Sequence, residues 1–273
     1  MIMADMRTDM KRPWGSYMPP FRIKGNLYFV GCYGASAHLI DTGEGLILID
    51  TGYPQSLYLV INSIYELGFD IKDVRYIIHS HGHYDHLGGT KALQALTGAK
   101  TFIGKGDESY ANGEVDLTWA KELGYEYYEA FEPDVIMKDG DVISLGCARI
   151  EIVSTPGHTP GTVSLFFEVK EDGKTYQVAM HGGVGFNSMK DGFLEKYGLS
   201  TDCRQAFVDG IRRIKDRKVD IFIGNHTWNN NTCGKYERLA AGEKNAFVDS
   251  MEWKAFLEKC EKKMLKLMEE SKK

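Results

Sequence analysis

The chain has 273 residues, 43% of them hydrophobic and 26% charged, an ordinary globular composition that excludes gross disorder, collagen-like repeats and coiled-coil fibres. Lys and Arg number 33 against 38 Asp and Glu, a formal net charge of −5, so the surface balance does not favour nucleic-acid backbones or anionic lipid. Five cysteines (Cys32, Cys147, Cys203, Cys233, Cys260) share no CxxC spacing, which argues against both a disulfide framework and a cysteine-rich zinc knuckle.

Residues 1–20 read as a polar arm with Pro13 and the pair Pro19-Pro20, and residues 21–273 as a single domain. The arm carries Asp5, Arg7, Asp9, Lys11 and Arg12 where a secretion signal needs an unbroken apolar stretch, and no later run approaches the ~20 apolar residues of a membrane helix. The expectation is a cytoplasmic protein, a monomer or weak homo-oligomer, with a small-molecule substrate and no nucleic-acid or membrane partner. Strands are expected at 27–32, 37–42 and 45–50, with Thr42-Gly43-Glu44-Gly45 as a hairpin turn. A helical pattern at 55–67 leads to a β-rich run at 74–80. A helix near 90–96, a strand at 100–104 and a charged helical segment around 118–125 follow. Further strands are expected at 142–146, 148–155, 162–169 and 175–180, with Asp-Gly turns before or between several of them. A helix at 202–215 precedes a last strand at 220–225. At 251–268, Trp253, Phe256, Leu257, Cys260, Met264, Leu267 and Met268 share one helical face, which predicts a helix packed on the core. Two blocks of strands mixed with helices predict an α/β protein with two sheets face to face and helices outside.

The stretch His79-Ser80-His81-Gly82-His83-Tyr84-Asp85-His86-Leu87-Gly88-Gly89 begins as the 74–80 strand ends. Side chains two apart in an extended segment point the same way, so His81 and His83 can converge on one metal. Asp85 and His86 fall where the chain turns into a helix and face elsewhere, as a second metal nearby would require. Imidazole and carboxylate together suit zinc without cysteine. Four residues cannot close two sites. His158 in "STPGHTPGT" and His226 in "DIFIGNHTW" each follow a buried strand, where ligands project from a rigid sheet. Of the remaining histidines, His38 reads as a half-buried strand residue, His79 as a packing or hydrogen-bonding residue behind the ligands, and His181 as part of the pocket mouth.

The HxHxDH run with Gly88-Gly89, "LILIDTG" upstream and "TPGHTPG" downstream resemble the metallo-β-lactamase superfamily, from about residue 20 to the C-terminus. The resemblance implies an αββα four-layer sandwich with two zinc ions at one edge of the sheets. It places His81, His83 and His158 on the first zinc, Asp85, His86 and His226 on the second, and Asp50 behind them to orient ligand groups. Many members bridge the metals with an Asp after the "PGHT" segment, but here "QVAMHGG" puts His181 or Gly182 in that place. The ligand set that remains, and the tail "LAAGEKNAFVDSMEWKAFLEKC", are similar to the third β-lactamase subclass. The implied function is a zinc-dependent hydrolase that opens the amide of a β-lactam ring by attack of a metal-bound hydroxide, with Asp85 orienting the nucleophile. The alternative is a lactone or thioester hydrolase with a non-antibiotic substrate. A nuclease of the same superfamily is disfavoured by the charge balance. The third subclass holds the substrate carboxylate with serines where this chain reads His181-Gly182-Gly183-Val184-Gly185. His181, Ser188, Asn225 and Trp228 are the candidate pocket residues, and a serine restored at Gly183 is expected to lower KM.

Overall fold

The run Leu46-Ile47-Leu48-Ile49 has no polar position, and the structure buries all four side chains by placing the strand inside a four-layer stack. The computed structural model describes residues 12–125 and 129–272. Strands β1 (Phe21–Lys24), β2 (Leu27–Phe29), β3 (His38–Asp41), β4 (Leu46–Ile49), β5 (Val74–Ile78), β6 (Lys100–Gly104) and β7 (Val135–Met137) form one sheet in sequence order. It is antiparallel from β1 to β4 and parallel from β4 to β7. Strands β8 (Val142–Leu145), β9 (Ala148–Ser154), β10 (Val163–Glu171), β11 (Lys174–His181) and β12 (Ile221–Phe222) form the second sheet, ordered β12-β11-β10-β9-β8. Helices α1 (Leu57–Glu66), α2 (Tyr84–Leu87), α3 (Thr90–Thr97) and α4 (Glu108–Ala111) belong to the first half of the chain. Helices α5 (Asp191–Tyr197), α6 (Asp202–Ile214), α7 (Thr232–Ala240) and α8 (Glu252–Glu270) belong to the second.

The layers follow from the two-residue strand period. Ile47 and Ile49 of β4 point between the sheets onto a core shared with Ile150, Leu165 and Met180, while Leu46 and Leu48 point out to Val60, Ile64 and Leu93 of α1 and α3. On the other side, Phe166 and Ala179 pack under Phe207 and Ile211 of α6 and Trp253 and Leu257 of α8. The expected αββα sandwich is therefore observed. Among the described residues no helix is long and apolar enough to cross a membrane.

Several local expectations change. The described end of the expected arm is packed onto the domain: Met18 is buried, Ser16 O accepts the Tyr33 N–H (2.8 Å), and the Tyr17 hydroxyl donates to Glu66 (2.9 Å). Residues 1–11 of that arm lie outside the described residues. The segment at 118–125 forms only a 3-10 turn at Lys121–Leu123. The strand expected at 220–225 shortens to Ile221–Phe222, because Asn230 Nδ2 takes the Phe222 carbonyl (2.9 Å) and turns the chain toward the site. β1, β7, α5 and α7 had no clear periodicity in so few residues.

The loops after β5, β9, β11 and β12 meet at one edge of the sandwich. The Val163 N–H donates to Ser80 O (3.0 Å), Asn225 Nδ2 donates to Gly182 O (2.6 Å), and Ala35 pairs with His226 in an isolated bridge.

Candidate metal centre

His81 and His83 lie in the bent segment between β5 and α2, and His158 reaches them from the loop after β9. Their ring centroids are 4.4 to 4.7 Å apart. One donor atom from each lies within 4.8 Å of the others, and the same holds for Asp85, His86 and His226. Asp85 Oδ2 is 3.3 Å from His86 Nε2 and 3.6 Å from His226 Nε2. The His81 and His86 rings, 4.3 Å apart, join the two groups.

The hydrogen bonds select which nitrogen faces inward. Nδ1 of His86 is 2.8 Å from Asp50 Oδ2, Nδ1 of His158 is 2.7 Å from Gly185 O, and Nδ1 of His226 is 3.1 Å from Gly34 O. His81 Nδ1 is 3.1 Å from Ser80 Oγ, whose proton goes to Asp50 Oδ2 (2.7 Å). Each of these four rings thus spends its Nδ1 proton on an oxygen, which turns Nε2 toward the interior of its group. His81 Nε2 and His86 Nε2 are buried with no hydrogen-bond partner, an unfavourable state that a bound cation would relieve. The donor set therefore fits two metal ions.

Charge reinforces this. Burial and neighbouring imidazoles hold His81 and His83 well below the usual histidine range, and burial lowers His158 and His226 to about 4, so these rings are neutral near pH 7. His86 is the exception: burial opposes its charge, yet Asp85 and Asp50 push it up to about 10. A proton is held there where a cation would sit. Burial likewise opposes the Asp85 charge, but His86, His226 and His83 hold that carboxyl far below its usual range.

Of the four residues expected in the pocket, two line it. A cavity of about 480 Å³ opens over both groups and is lined by His83, Asp85 and His158, by Ser188, and by Trp228, which stacks flat on His226 (4.3 Å, 9°). His181 and Asn225 do not line it. Asn225 is buried, with Nδ2 spent on Gly182 O. His181, at the end of β11, is buried beside Phe207 and accepts the Gly183 N–H at Nδ1 (3.2 Å). His38 is fully rather than half buried. His79 is satisfied at both nitrogens, by Phe102 O (2.8 Å) and Thr90 Oγ1 (2.7 Å).

Several residues around the site escaped the sequence reading, Asp107 and Trp119 among them. Asp107, just before α4, reads as a helix N-cap but makes no capping bond. Its carboxylate is buried and accepts from the Gly82 N–H (2.6 Å), the Gly161 N–H (2.7 Å) and Thr159 Oγ1 (2.6 Å). One side chain thus ties the loop of His81 and His83 to the loop of His158. Burial pushes this carboxyl up to about 6 against the pull of those three donors. Trp119 lines the cavity with its ring 6.0 Å from His83, held at a φ of +70° that bulky residues rarely adopt.

The family model described as the Metallo-beta-lactamase superfamily matches residues 30–171. The chain belongs to this superfamily. It is a metallo-hydrolase of that group, and its structural likeness is to the subclass B3 enzymes. The native FEZ-1 metallo-beta-lactamase of Legionella gormanii superposes with a TM-score of 0.85 at 29% identity, covering 94% of this chain and 98% of that one. BJP-1, a subclass B3 metallo-beta-lactamase of Bradyrhizobium japonicum, gives 0.84 at 25% identity over 98% of both chains. Among curated sequences, an N-acyl homoserine lactonase of Bacillus thuringiensis is 24% identical over 231 residues, 75% of this chain and 84% of the lactonase.

Proposed function

We propose that this metallo-hydrolase is a binuclear zinc enzyme whose substrate is a small cyclic amide of the β-lactam type. The observation that carries the reading is the six-donor set, three imidazoles in one group and Asp85, His86 and His226 in the other, with a buried histidine and not a carboxylate ending β11. LRA-12, a class B3 di-zinc enzyme from an Alaskan soil metagenome with a TM-score of 0.82 at 25% identity over 97% of both chains, supports two zinc ions. Zinc held by these donors would polarise a carbonyl oxygen and bring the pKa of a coordinated water near neutrality.

The chain's own groups supply the rest. Asp85 is the one carboxylate among the described residues lining the cavity, and it is positioned to orient the attacking water and accept its proton. Asp50 and Ser80 keep the His81 and His86 rings turned inward. Lys259 and Lys263, one turn apart on α8 at the cavity edge, provide a positive field for a substrate carboxylate, a role for which residues 182–185 have no hydroxyl. The curated lactonases favour a second reading, hydrolysis of a cyclic ester, by the same centre.

Zinc analysis together with a screen of nitrocefin, a carbapenem, a short-chain lactone and a thioester tests both readings. Two zinc ions per chain and lactam turnover are expected, with Asp85→Asn losing roughly a hundredfold or more in rate. Lactone turnover without lactam cleavage selects the second reading. One zinc or none under zinc-replete conditions overturns the binuclear assignment.

A further inference from the structure

The turn at 182–185, after β11, carries no polar side chain, yet it lies between three of the loops that bear the donors. A Cβ at Gly182 would stand 2.6 Å from Ser80 O, next to His81, and 2.1 Å from Val163 O. A Cβ at Gly185 would stand 2.8 Å from Cε1 of His158. Backbone alone thus fills the space between the His81 loop and the His158 ring. From this turn the Gly185 carbonyl accepts the Nδ1 proton of His158 (2.7 Å). The third side is closed by Asn225, which immediately precedes His226 and is 1% exposed. Its Nδ2 donates to Gly182 O (2.6 Å), its Oδ1 accepts from Asn229 Nδ2 (2.6 Å), and its backbone carbonyl accepts the Ser36 N–H (2.9 Å). A short amide held at these points cannot change rotamer without leaving a buried polar group unpaired. Gly182 is therefore fixed relative to the strand end that bears His226.

We propose that Asn225 is a positioning residue for His158: through the turn at 182–185 it orients the imidazole of the three-histidine group from the loop of the other group's His226. The inference rests on the two-metal reading only for what the oriented nitrogen would bind. Two supports set the His158 ring. Asp107 holds the loop on one side through Thr159 and Gly161, and Gly185 O holds the ring itself. Ser188 Oγ, 3.3 Å from the same ring nitrogen, is the more distant acceptor and spends its own proton on His158 O. Without the Asn225 donor, Gly182 O is left unpaired, the turn relaxes and Gly185 O withdraws from Nδ1. The His158 ring then loses the bond that selects its tautomer.

Asn225→Leu removes the donor at similar volume. Asn225→Asp keeps the shape and the Asn229 bond but sets a carboxylate oxygen against Gly182 O. Long-range proton–nitrogen spectra of metal-free protein labelled at histidine read the tautomer of each ring. Wild-type His158 should be in the Nδ1–H form, and both variants should shift it to a mixture of tautomers. Cadmium NMR of the loaded proteins distinguishes the three-histidine group from the group containing Asp85. Chelator competition on the same samples should show cadmium at the three-histidine group weakened roughly 10–100-fold. If the leucine variant does not fold, the aspartate variant carries both measurements. A residue that serves His226 alone would leave the His158 tautomer and the three-histidine group as in wild type, and that result in a folded variant overturns the proposal. Uptake of a single cadmium ion by the wild type would discard the two-metal reading, and the His158 tautomer of the metal-free variants would still decide the role of Asn225.

Discussion

Gly183 lies in the turn after β11, and a Cβ built on it would stand 2.4 Å from Cδ2 and 2.9 Å from Cγ of His158. Gly183→Ser adds that carbon and a hydroxyl beyond it. Ordinary contact begins near 3.4 Å, so the imidazole must recede by roughly 1 Å. It has little freedom to do so, because Nδ1 is held 2.7 Å from Gly185 O and the His158 carbonyl accepts from Ser188 Oγ at 2.7 Å. Metal–nitrogen distances tolerate only about ±0.2 Å. The substitution should therefore weaken zinc at the three-histidine group by roughly 10–100-fold, with a rate loss on the order of a hundredfold. This reverses the expectation from the sequence, in which a serine at this position faces the substrate carboxylate and lowers KM. Competition titration against a chromophoric chelator, with turnover measured on the same samples, reads both quantities. Gly192→Ala is the control, since a Cβ there meets nothing within 4 Å. A Gly183→Ser protein with wild-type zinc affinity and a lowered KM would refute the steric argument.

Asp107→Asn keeps the shape but loses one acceptor among three buried donors. It should lower Tm by ~2–8 °C and weaken zinc at the three-histidine group, and cobalt substitution spectra that match wild type would contradict the positioning role. Asp50→Asn should weaken zinc at the Asp85–His86–His226 group by roughly 10–100-fold, as read by chelator competition. The left-handed backbone at residue 50 (φ +60°) suits Asn as well as Asp, so a loss of affinity could not be assigned to backbone strain, and an unchanged affinity would contradict the orienting role. Acid lability should persist after chelation. Hydrogen bonds from Arg213, Arg217, Lys24 and Lys215 hold Asp139, Glu151, Glu171 and Glu261 below their ordinary values. Depressed carboxyls contribute stability above their unfolded values of 3.8 and 4.5, and that stability is lost as pH falls through the folded values. A urea midpoint of the chelated protein that stays flat from pH 6 to pH 3 would contradict this, and Glu171→Gln should flatten part of the slope.

By itself the sequence determined the strand and helix pattern of most of the sandwich and picked out six candidate metal donors, whose full division into two groups only the family resemblance implied. Both rest on short-range regularities: the two-residue period that turns His81 and His83 the same way, the change of direction at Asp85-His86, and the apolar runs that end just before His158 and His226. Asp50 was legible only through the resemblance of "LILIDTG" to the superfamily. Tertiary structure alone decided what stands around those donors. Asp107 bonds Thr159 and Gly161 across 52 and 54 residues, and His226 Nδ1 meets Gly34 O across 192. No local pattern encodes such meetings. Gly183 and His181 were misread because a glycine after a strand looks like open loop. Only the approach of the His158 ring shows that the space beside Gly183 is already filled, and only the packing of Phe207 shows that His181 is buried.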